Sequence, residues 1–243
     1  MVKNNITLKI GNPESEKSKI VTNNLELFIN KFEVIGDGGN ATVNALENTQ
    51  LSGICFKKIR EVPFMKGNDL EEEFNTQLEL FNKGVSVPEP ILILKDEKGA
   101  LYYFMERSGI SIEDVSSGKK ELPEGFELDI FFKDLENEVK KMHKAGFIHR
   151  DLRSGNVLIN DKCKPVIIDF GTTIRTTDPD GAGMFAYQES IFTYDPIKKT
   201  YVNKEGYYLD DLKESIPSLK ATIKSVYWRQ KGLKQTDEFG NER

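Results

Sequence analysis

The sequence predicts an α+β fold, with a strand-rich N-terminal lobe that carries one helix and a reduced, mostly helical C-terminal lobe. Short apolar runs separated by turn residues fill the first half of the chain, as in an antiparallel sheet. A long amphipathic segment, 128–144, dominates the second half. Between them, residues 108–125 are rich in Ser, Gly and Glu. This change of composition predicts a hinge near 107–109.

We therefore predict that the chain has three parts. They are an N-terminal extension over 1–30, an N-lobe over 31–107 and a reduced C-lobe over 108–243. The length of 243 residues fits one large domain or two small ones. Hydrophobic residues make up 38% of the chain, which is enough for a core and excludes disorder over the full length.

Charge and cysteine content exclude further classes of protein. The net charge of −5 argues against a dedicated binder of nucleic acid or of anionic membranes, which needs a basic surface. No apolar run approaches the roughly 20 residues of a membrane span, and residues 1–10 lack the apolar core of a signal peptide. Two cysteines, Cys55 and Cys163, cannot form a disulfide framework. We therefore expect a cytoplasmic protein with no nucleic-acid or membrane partner.

The N-terminal lobe begins with a short stretch in which Ile6, Leu8 and Ile10 alternate with polar residues. A polar loop is expected next, and then a short helix over 23–29. The apolar runs that follow predict strands over 32–35, 42–46 and 54–59.

A helix is predicted over 69–82, with Gly84 just past its end. Its apolar face is expected to carry Leu70, Phe74, Leu78 and Phe81. Two further runs, 91–94 and 101–105, predict a strand pair joined by the turn 96–99.

In the second lobe, a helix is predicted over 128–144 from its apolar spacing. Short apolar runs predict buried strands over 156–159 and 165–168. A further helix is expected over 208–227, and Pro217 must kink or divide it.

Two short motifs carry the chemistry of the chain. Residues 148–159 read Ile-His-Arg-Asp-Leu-Arg-Ser-Gly-Asn-Val-Leu-Ile, and residues 167–171 read Ile-Ile-Asp-Phe-Gly. In this order and at this spacing, they resemble the catalytic loop H-R-D-L-x-x-x-N and the metal-binding loop D-F-G of eukaryotic-type protein kinases. The resemblance implies a bilobal protein-kinase-like fold.

The resemblance implies a role for each polar residue of the two motifs. Asp151 would orient the acceptor hydroxyl and accept its proton, while Asn156 and Asp169 would hold Mg²⁺ (or Mn²⁺) against the phosphates of ATP. His149 would pack beneath the catalytic loop. Neither His149 nor His143 is expected to act as the general base.

A glycine cluster in the N-terminal lobe is similar to the kinase glycine-rich loop G-x-G-x-x-G-x-V. Glycines let backbone N–H groups approach phosphate oxygens without a Cβ in the way. The residues that would cover the nucleotide are Gly36, Asp37, Gly38, Gly39, Asn40, Ala41, Thr42 and Val43. Ala41 takes the place of the third glycine, which should not block the nucleotide.

The strand over 54–59 resembles the V-A-I-K strand, whose lysine holds the α- and β-phosphates. Cys55 and Lys57 point to the same face of a strand, so Lys57 is favoured over Lys58. Cys55 would then lie over the adenine.

The family also pairs this lysine with a glutamate on a helix. The candidates are Glu71, Glu72, Glu73 and Glu79. The position of Glu73 relative to Phe74 and Gly84 matches related small kinases best, and the other three glutamates are expected on a solvated face.

Residues 104–109 resemble the segment that joins the two lobes of a kinase. By that resemblance Met105 would lie at the back of the adenine pocket. The backbones of Glu106 and Ser108 would bond the adenine edge, so their side chains say little about function.

The segment after the metal-binding loop carries a candidate regulatory site. We expect autophosphorylation of Thr176 or Thr177, within the threonine-containing stretch 172–177, because Arg150 could pair with a phosphothreonine. The alternative is that an aspartate nearby, Asp178 or Asp180, already supplies the anion.

Two weaker matches complete the resemblance. Glu189 would close a segment like A-P-E, although Gln188 replaces the proline, and Asp211 would anchor the backbone of the catalytic loop. Too few residues follow Asp211 for all the later helices of the family. The chain therefore resembles small bacterial and injected effector kinases and the Rio and Bud types. An activating protein partner could complete its docking surface.

The leading interpretation is an ATP- and Mg²⁺-dependent protein kinase that phosphorylates Ser or Thr, or else Tyr, on a protein substrate. Arg153 lies where serine/threonine kinases carry lysine and some tyrosine kinases carry arginine, so it does not settle the acceptor. One alternative is a small-molecule kinase of the aminoglycoside or sugar type, which usually reads H-G-D at 149–151. The other is a nucleotide-binding pseudokinase scaffold. The protein would act in its own cell or be delivered into another one as an effector.

Overall fold

A computed structural model of the chain describes residues 6–30, 32–37, 41–46, 51–59, 68–175, 192–195, 200–203, 212 and 215–232. The chain divides into two compact units. Unit 1 comprises Met1–Asn82 and Val87–Ser108, and unit 2 comprises Lys83–Ser86 and Gly109–Arg243.

In the described part of unit 1, six strands form one antiparallel sheet. They are β1 (Thr7–Gly11), β2 (Glu33–Asp37), β3 (Ala41–Ala45), β4 (Ile54–Ile59), β5 (Pro90–Lys95) and β6 (Leu101–Glu106). Their spatial order is β1-β5-β6-β4-β3-β2, and each neighbouring pair is antiparallel. The predicted α+β class with an antiparallel strand-rich first half is confirmed.

The helices of unit 1 are α1 (Glu16–Asn23), α2 (Leu25–Asn30) and α3 (Asn68–Asn82). The prediction of a polar loop before residue 23 is wrong, because α1 occupies that stretch. Ser15 caps α1 by accepting a hydrogen bond at its Oγ from the Ser18 N–H at 3.1 Å. Only Ser18 and Val21 of this helix are buried, so it lacks the long apolar stripe by which helices are predicted.

The two faces of the sheet are covered by different helices. On one face, the ring of Phe28 in α2 packs edge-on against Phe104 at 5.3 Å and Phe56 at 6.5 Å between ring centroids. On the other face, Phe74 in α3 packs against Tyr103 at 5.3 Å. Because side chains alternate along a strand, even-numbered residues of β4 and β6 face α1 and α2, and odd-numbered residues face α3.

Helix α3 confirms the predicted element but presents a different face to the sheet. Leu70 and Phe74 are buried as predicted, whereas Phe81 is 38% exposed and Leu80 is buried in its place. Two polar residues of α3 explain this rotation. Glu73 pairs with Lys57, and Gln77 donates its Nε2–H to the carbonyl of Pro88 at 2.8 Å, so the buried stripe includes both.

Unit 2 contains the helices α4 (Ile112–Ser116), α5 (Leu128–Lys144) and α6 (Ile216–Gln230). The bounds of α5 are those predicted. Helix α6 begins at Ile216 and carries Pro217 in its first turn, where a proline needs no kink. That Pro217 kinks or divides a longer helix stays a prediction. Most of the earlier part of that predicted helix, before residue 215, lies outside the described residues. Within the described residues, none of the helices is both long and apolar enough to cross a bilayer.

The short strands of unit 2 are β7 (Ile110–Ser111), β8 (Phe147–Ile148), β9 (Val157–Ile159), β10 (Pro165–Ile167), β11 (Ile174–Arg175), β12 (Phe192–Asp195) and β13 (Thr200–Asn203). Strands β10, β9 and β7 form one antiparallel sheet, β11 pairs with β8, and β12 pairs with β13. Gly109 enters this sheet with φ +131°, and a Cβ there would lie 2.2 Å from the carbonyl oxygen of Ile159. Only glycine fits that position.

The segment that follows α3 is bound to unit 2. The Ser86 N–H donates to Glu138 Oε2 at 2.8 Å, and Ser86 Oγ donates to the carbonyl of Pro165 at 2.6 Å. The Ile167 N–H donates to the carbonyl of Ser86 at 2.9 Å. These bonds fix β10, the strand that leads into the Asp-Phe-Gly motif.

Candidate active site

The catalytic-loop motif of unit 2 lies between β8 and β9 and is organised around the carboxylate of Asp151. Asn156, which is only 3% exposed, donates its Nδ2–H to the carbonyl of Asp151 at 2.8 Å and to Asp151 Oδ2 at 2.9 Å. Arg153 Nε donates to the same Oδ2 at 3.1 Å. Asp151 Oδ1 has no hydrogen-bond partner among the residues that the structure describes. One carboxylate oxygen is thus fixed and the other is available.

His149 holds the two motifs together. Its ring is buried, Nε2 lies 3.0 Å from the carbonyl of Ile168, and the Asp151 N–H donates to Nδ1 at 3.3 Å. Because Nδ1 accepts a hydrogen bond, the ring proton lies on Nε2, which donates to Ile168. The ring also packs edge-on against Phe170 at 5.4 Å, and Thr172 Oγ1 donates to the carbonyl of His149 at 3.1 Å. His149 therefore packs beneath the loop rather than facing a substrate.

Backbone conformation in both motifs is unusual. Arg150 has φ +70° and Asp169 has φ +66°, the left-handed region that residues with a Cβ rarely adopt. Such conformations cost about 1–3 kcal/mol each and persist where surrounding contacts impose them. Here the Ile168 N–H donates to the carbonyl of Asn156 at 3.0 Å, next to the His149 contact. The loop thereby gives Asp169 a defined backbone conformation two residues after the end of β10.

Asn156 and Asp169 offer oxygen ligands of the kind that Mg²⁺ prefers. The Nδ2 of Asn156 makes the two bonds to Asp151, and its Oδ1 accepts no hydrogen bond from the described residues. The described part of the chain contains no cluster of three or more His, Cys, Asp or Glu residues suited to a metal. The donor types of Asn156 and Asp169 fit a magnesium ion, for which these two residues would be ligands.

In unit 1, the structure pairs Lys57 with Glu73. The Nζ of Lys57 in β4 lies 2.8 Å from both carboxylate oxygens of Glu73 in α3, and the two side chains are 15% and 5% exposed. Glu72 is exposed on the same helix. Lys58 faces the other side of the sheet, where its Nζ lies 5.4 Å from the centre of the Tyr102 ring. The buried pair fixes the direction of the lysine side chain.

The proposed adenine-contacting residues of unit 1 lie on adjacent strands. Cys55 and Met105 are directly opposite each other in β4 and β6, and both are buried. Burial raises the pKa of the Cys55 thiol to about 12, so the thiol is protonated at neutral pH. The Glu106 N–H is already bonded to the carbonyl of Glu89 at 3.0 Å. Ser108 N–H has no such bond to another described residue.

The glycine cluster is described at both of its ends. Strands β2 and β3 form a hairpin in which Gly36 is paired with Val43, and Asp37 with Thr42. Ala41, which begins β3, is buried. The residues between the strands, Gly38, Gly39 and Asn40, lie outside the described residues, as do Thr176, Thr177, Asp178, Asp180, Gln188, Glu189 and Asp211.

One residue beside the lysine was missed in the sequence. Tyr103 is directly opposite Lys57 in the β4–β6 pair and faces α3. Its hydroxyl is buried with no hydrogen-bond partner among the described residues. Burial, together with the charge of Glu73, raises the pKa of Tyr103 well above its usual value. The alternation of β6 places residue 103 on the lysine face, but an orphaned hydroxyl there cannot be read from a strand pattern.

Comparisons with known proteins agree with this geometry. A family model described as "Protein kinase domain" matches residues 29–194. The chain is 35% identical over 133 residues to a 3-deoxy-D-manno-octulosonic acid kinase of Vibrio parahaemolyticus, covering 52% of this chain and 54% of that protein. It is 31% identical over 134 residues to the protein of the same name in Vibrio cholerae, covering 53% and 56%. The chain therefore spans about half the length of these two relatives.

A second group of relatives matches over shorter segments. The mitogen-activated protein kinase 12 of Danio rerio is 49% identical over 45 residues, which are 18% of this chain and 12% of that protein.

Proposed function

Because this chain belongs to the protein kinase domain family, we propose that it transfers the γ-phosphate of ATP to a hydroxyl group. The observation that carries the proposal is the arrangement of the Asp151 carboxylate. Its Oδ2 is held by Asn156 and Arg153, and its Oδ1 is left for an acceptor. A carboxylate with one oxygen fixed and the other available is suited to orienting a hydroxyl for attack.

In the proposed reaction, the acceptor hydroxyl donates its hydrogen bond to Asp151 Oδ1. Its oxygen attacks the γ-phosphorus, the bond between that phosphorus and the β–γ bridging oxygen breaks, and ADP leaves. The hydroxyl proton passes to Oδ1 as the new O–P bond forms. The bond from Asn156 restricts rotation of the carboxylate, so most of the catalytic effect comes from positioning.

Several of the residues described above are proposed to bind the nucleotide. Lys57 would contact the phosphates, with its Nζ position already fixed by Glu73, so little side-chain freedom is lost on binding. Asn156 and Asp169 would hold Mg²⁺ (or Mn²⁺), which when bound neutralises charge on the triphosphate. The backbone at Glu106 and Ser108 is proposed to contact the adenine.

For the acceptor, we propose the hydroxyl of a carboxylated sugar, like the octulosonic acid that two relatives are named for. Those alignments cover 52% and 53% of this chain, whereas the mitogen-activated protein kinases cover 18–35%. The second candidate is Ser or Thr of a protein, with autophosphorylation and an activating protein partner. Arg150 favours this second candidate, since its guanidinium could pair with a phosphothreonine.

The proposal is tested with the purified full chain, ATP and Mg²⁺. We expect ATP consumption with 3-deoxy-D-manno-octulosonic acid or with generic proteins, and phosphorus NMR or intact mass identifies the product. Asp151→Asn should lower the rate by about 10²–10⁴-fold, because it removes the proton acceptor. Asp161→Asn, which changes an exposed aspartate of the same unit, is the matched control. A fully active Asp151→Asn variant would refute the proposed role.

A further inference from the structure

We propose that Arg153 binds a carboxylate on the acceptor and thereby selects acceptors that carry one near the reactive hydroxyl. The inference rests on the proposed function, since it assigns part of the specificity of the same site. It gives Arg153 a role in recognition of the acceptor rather than of the nucleotide.

The first observation is the position of the guanidinium. Arg153 Nε is bonded to Asp151 Oδ2 at 3.1 Å, so the group is held beside the catalytic carboxylate. A Cβ at residue 155 would lie 3.3 Å from Arg153 Nη1 and 3.8 Å from its Cζ. Residue 155 is a glycine, so no side chain from this position covers the guanidinium.

The second observation is the unused bonding capacity of the group. Apart from Nε, the guanidinium nitrogens have no hydrogen-bond partner among the described residues, and the Arg153 side chain is 55% exposed. An ion pair this exposed adds little to stability. A guanidinium presents paired N–H donors that match the two oxygens of a carboxylate. The remaining donors are therefore suited to an external anion.

The third observation distinguishes the acceptor from the nucleotide as the source of that anion. Two donors reach Asp151 Oδ2, and they come from different environments. Asn156 is buried, and it is the residue proposed to hold the metal with the phosphates. The Arg153 side chain is 55% exposed, so its remaining donors are open to a solute. We therefore assign the anion bound by Arg153 to the acceptor.

Local charge makes the arginine necessary for an anionic acceptor. Glu113 Oε2 lies 2.7 Å from the Cβ position of residue 155, the same position that lies 3.3 Å from Arg153 Nη1. Without Arg153, an incoming carboxylate would lie beside the negative charges of Asp151 and Glu113 with no guanidinium to offset them. Loss of the arginine should therefore weaken anionic acceptors far more than neutral ones.

The test compares 3-deoxy-D-manno-octulosonic acid with its neutral methyl ester as acceptors. The wild type should prefer the acid by about 10- to 100-fold in kcat/KM, the range expected for a charged hydrogen-bonded pair. In Arg153→Gln this preference should fall by at least about tenfold, with KM for ATP unchanged, and Arg153→Lys should restore part of it. Lys162→Gln removes an exposed charge elsewhere in unit 2 and should keep the preference.

Three results would overturn the inference while leaving phosphoryl transfer in place. The wild type turns over acid and ester equally, or it phosphorylates only proteins, or Arg153→Gln raises KM for ATP and keeps the acid-to-ester ratio. Failure of the proposed function itself looks different, because no ATP consumption would then depend on Asp151. In that case calorimetric binding of the acid decides the inference: equal affinity for wild type and Arg153→Gln, or no binding, overturns it, and weaker binding by the variant supports it.

Discussion

Replacing Tyr103 with phenylalanine should stabilise the protein. The substitution removes one hydroxyl that is buried without a hydrogen-bond partner among the described residues, and it keeps the ring that packs on Phe74 at 5.3 Å. Burying an unpaired hydroxyl costs about 1–3 kcal/mol, so Tyr103→Phe should raise the free energy of unfolding by about 1–2 kcal/mol. In a chain of this length, that corresponds to a rise in Tm of roughly 2–8 °C.

The neighbouring tyrosine provides the control with the opposite sign. Tyr102 lies on the other face of β6, and its hydroxyl donates to Asp96 Oδ2 at 3.1 Å. Tyr102→Phe makes the same chemical change but loses a formed bond, so it should destabilise by about 1 kcal/mol. The two variants therefore separate a general effect of the hydroxyl from its hydrogen bonding.

The assay must report on unit 1. The sequence has one tryptophan, Trp228, and it lies in α6 of unit 2, so its fluorescence follows the wrong unit. Urea unfolding followed by circular dichroism, with hydrogen exchange of the β6 amides, measures the relevant change. If Tyr103→Phe destabilises as much as Tyr102→Phe, the Tyr103 hydroxyl has a partner in solution and the reasoning is refuted.

Three further predictions follow from buried contacts. Glu73→Ala removes the carboxylate that pairs with the buried Lys57, so the free energy of unfolding should fall by about 3–5 kcal/mol and KM for ATP should rise. Gly109→Ala places a Cβ 2.2 Å from the Ile159 carbonyl oxygen. The free energy of unfolding measured in urea should therefore fall by more than about 1 kcal/mol. Burial, then the Asp96 bond, raise the pKa of Tyr102 to about 12, so its contribution to stability is full below about pH 10 and is lost as pH rises towards 12.

Each has a matched control in the same measurement. Glu72→Ala changes an exposed glutamate of α3 and should leave both stability and KM nearly unchanged. Gly118→Ala shares a positive φ of +77° but meets no atom within 4 Å, so it should cost less than Gly109→Ala. Tyr102→Phe should reduce the loss of stability between about pH 10 and pH 12. The first prediction is contradicted if Glu72→Ala has the same effect as Glu73→Ala, and the second if Gly118→Ala costs as much as Gly109→Ala. The third is contradicted if Tyr102→Phe loses as much stability between about pH 10 and pH 12 as the wild type does.

The motifs and the strongest helix could be predicted from the sequence. Helix α5 has apolar residues at regular helical spacing along its whole length, and its bounds were predicted residue for residue. Strand alternation also placed Cys55 and Lys57 on one face, where both are found. These features depend on local periodicity, which a single sequence contains.

Features that depend on tertiary contacts could not be predicted. Helix α1 is mostly polar and is stabilised by its cap and by two buried residues, so it has no apolar stripe from which it could be predicted. The predicted buried face of α3 was wrong because Gln77 is buried and donates a hydrogen bond to the carbonyl of Pro88, outside the helix. Likewise, only Oδ2 of the Asp151 carboxylate is bonded by the described residues, because Asn156 and Arg153 of the same loop both donate to it. A pattern in the chain does not contain such pairings.

The covering of both sides of the unit 1 sheet bears on how shortened forms of this protein should be made. The family match begins at residue 29, which would invite removal of everything before it. That cut would remove α1 and most of α2, including the Phe28 ring that packs against Phe56 and Phe104. The aromatic rings that become exposed would form an apolar patch through which copies of the truncated protein would associate. The first thirty residues are therefore better regarded as part of the hydrophobic core of unit 1 than as a tail.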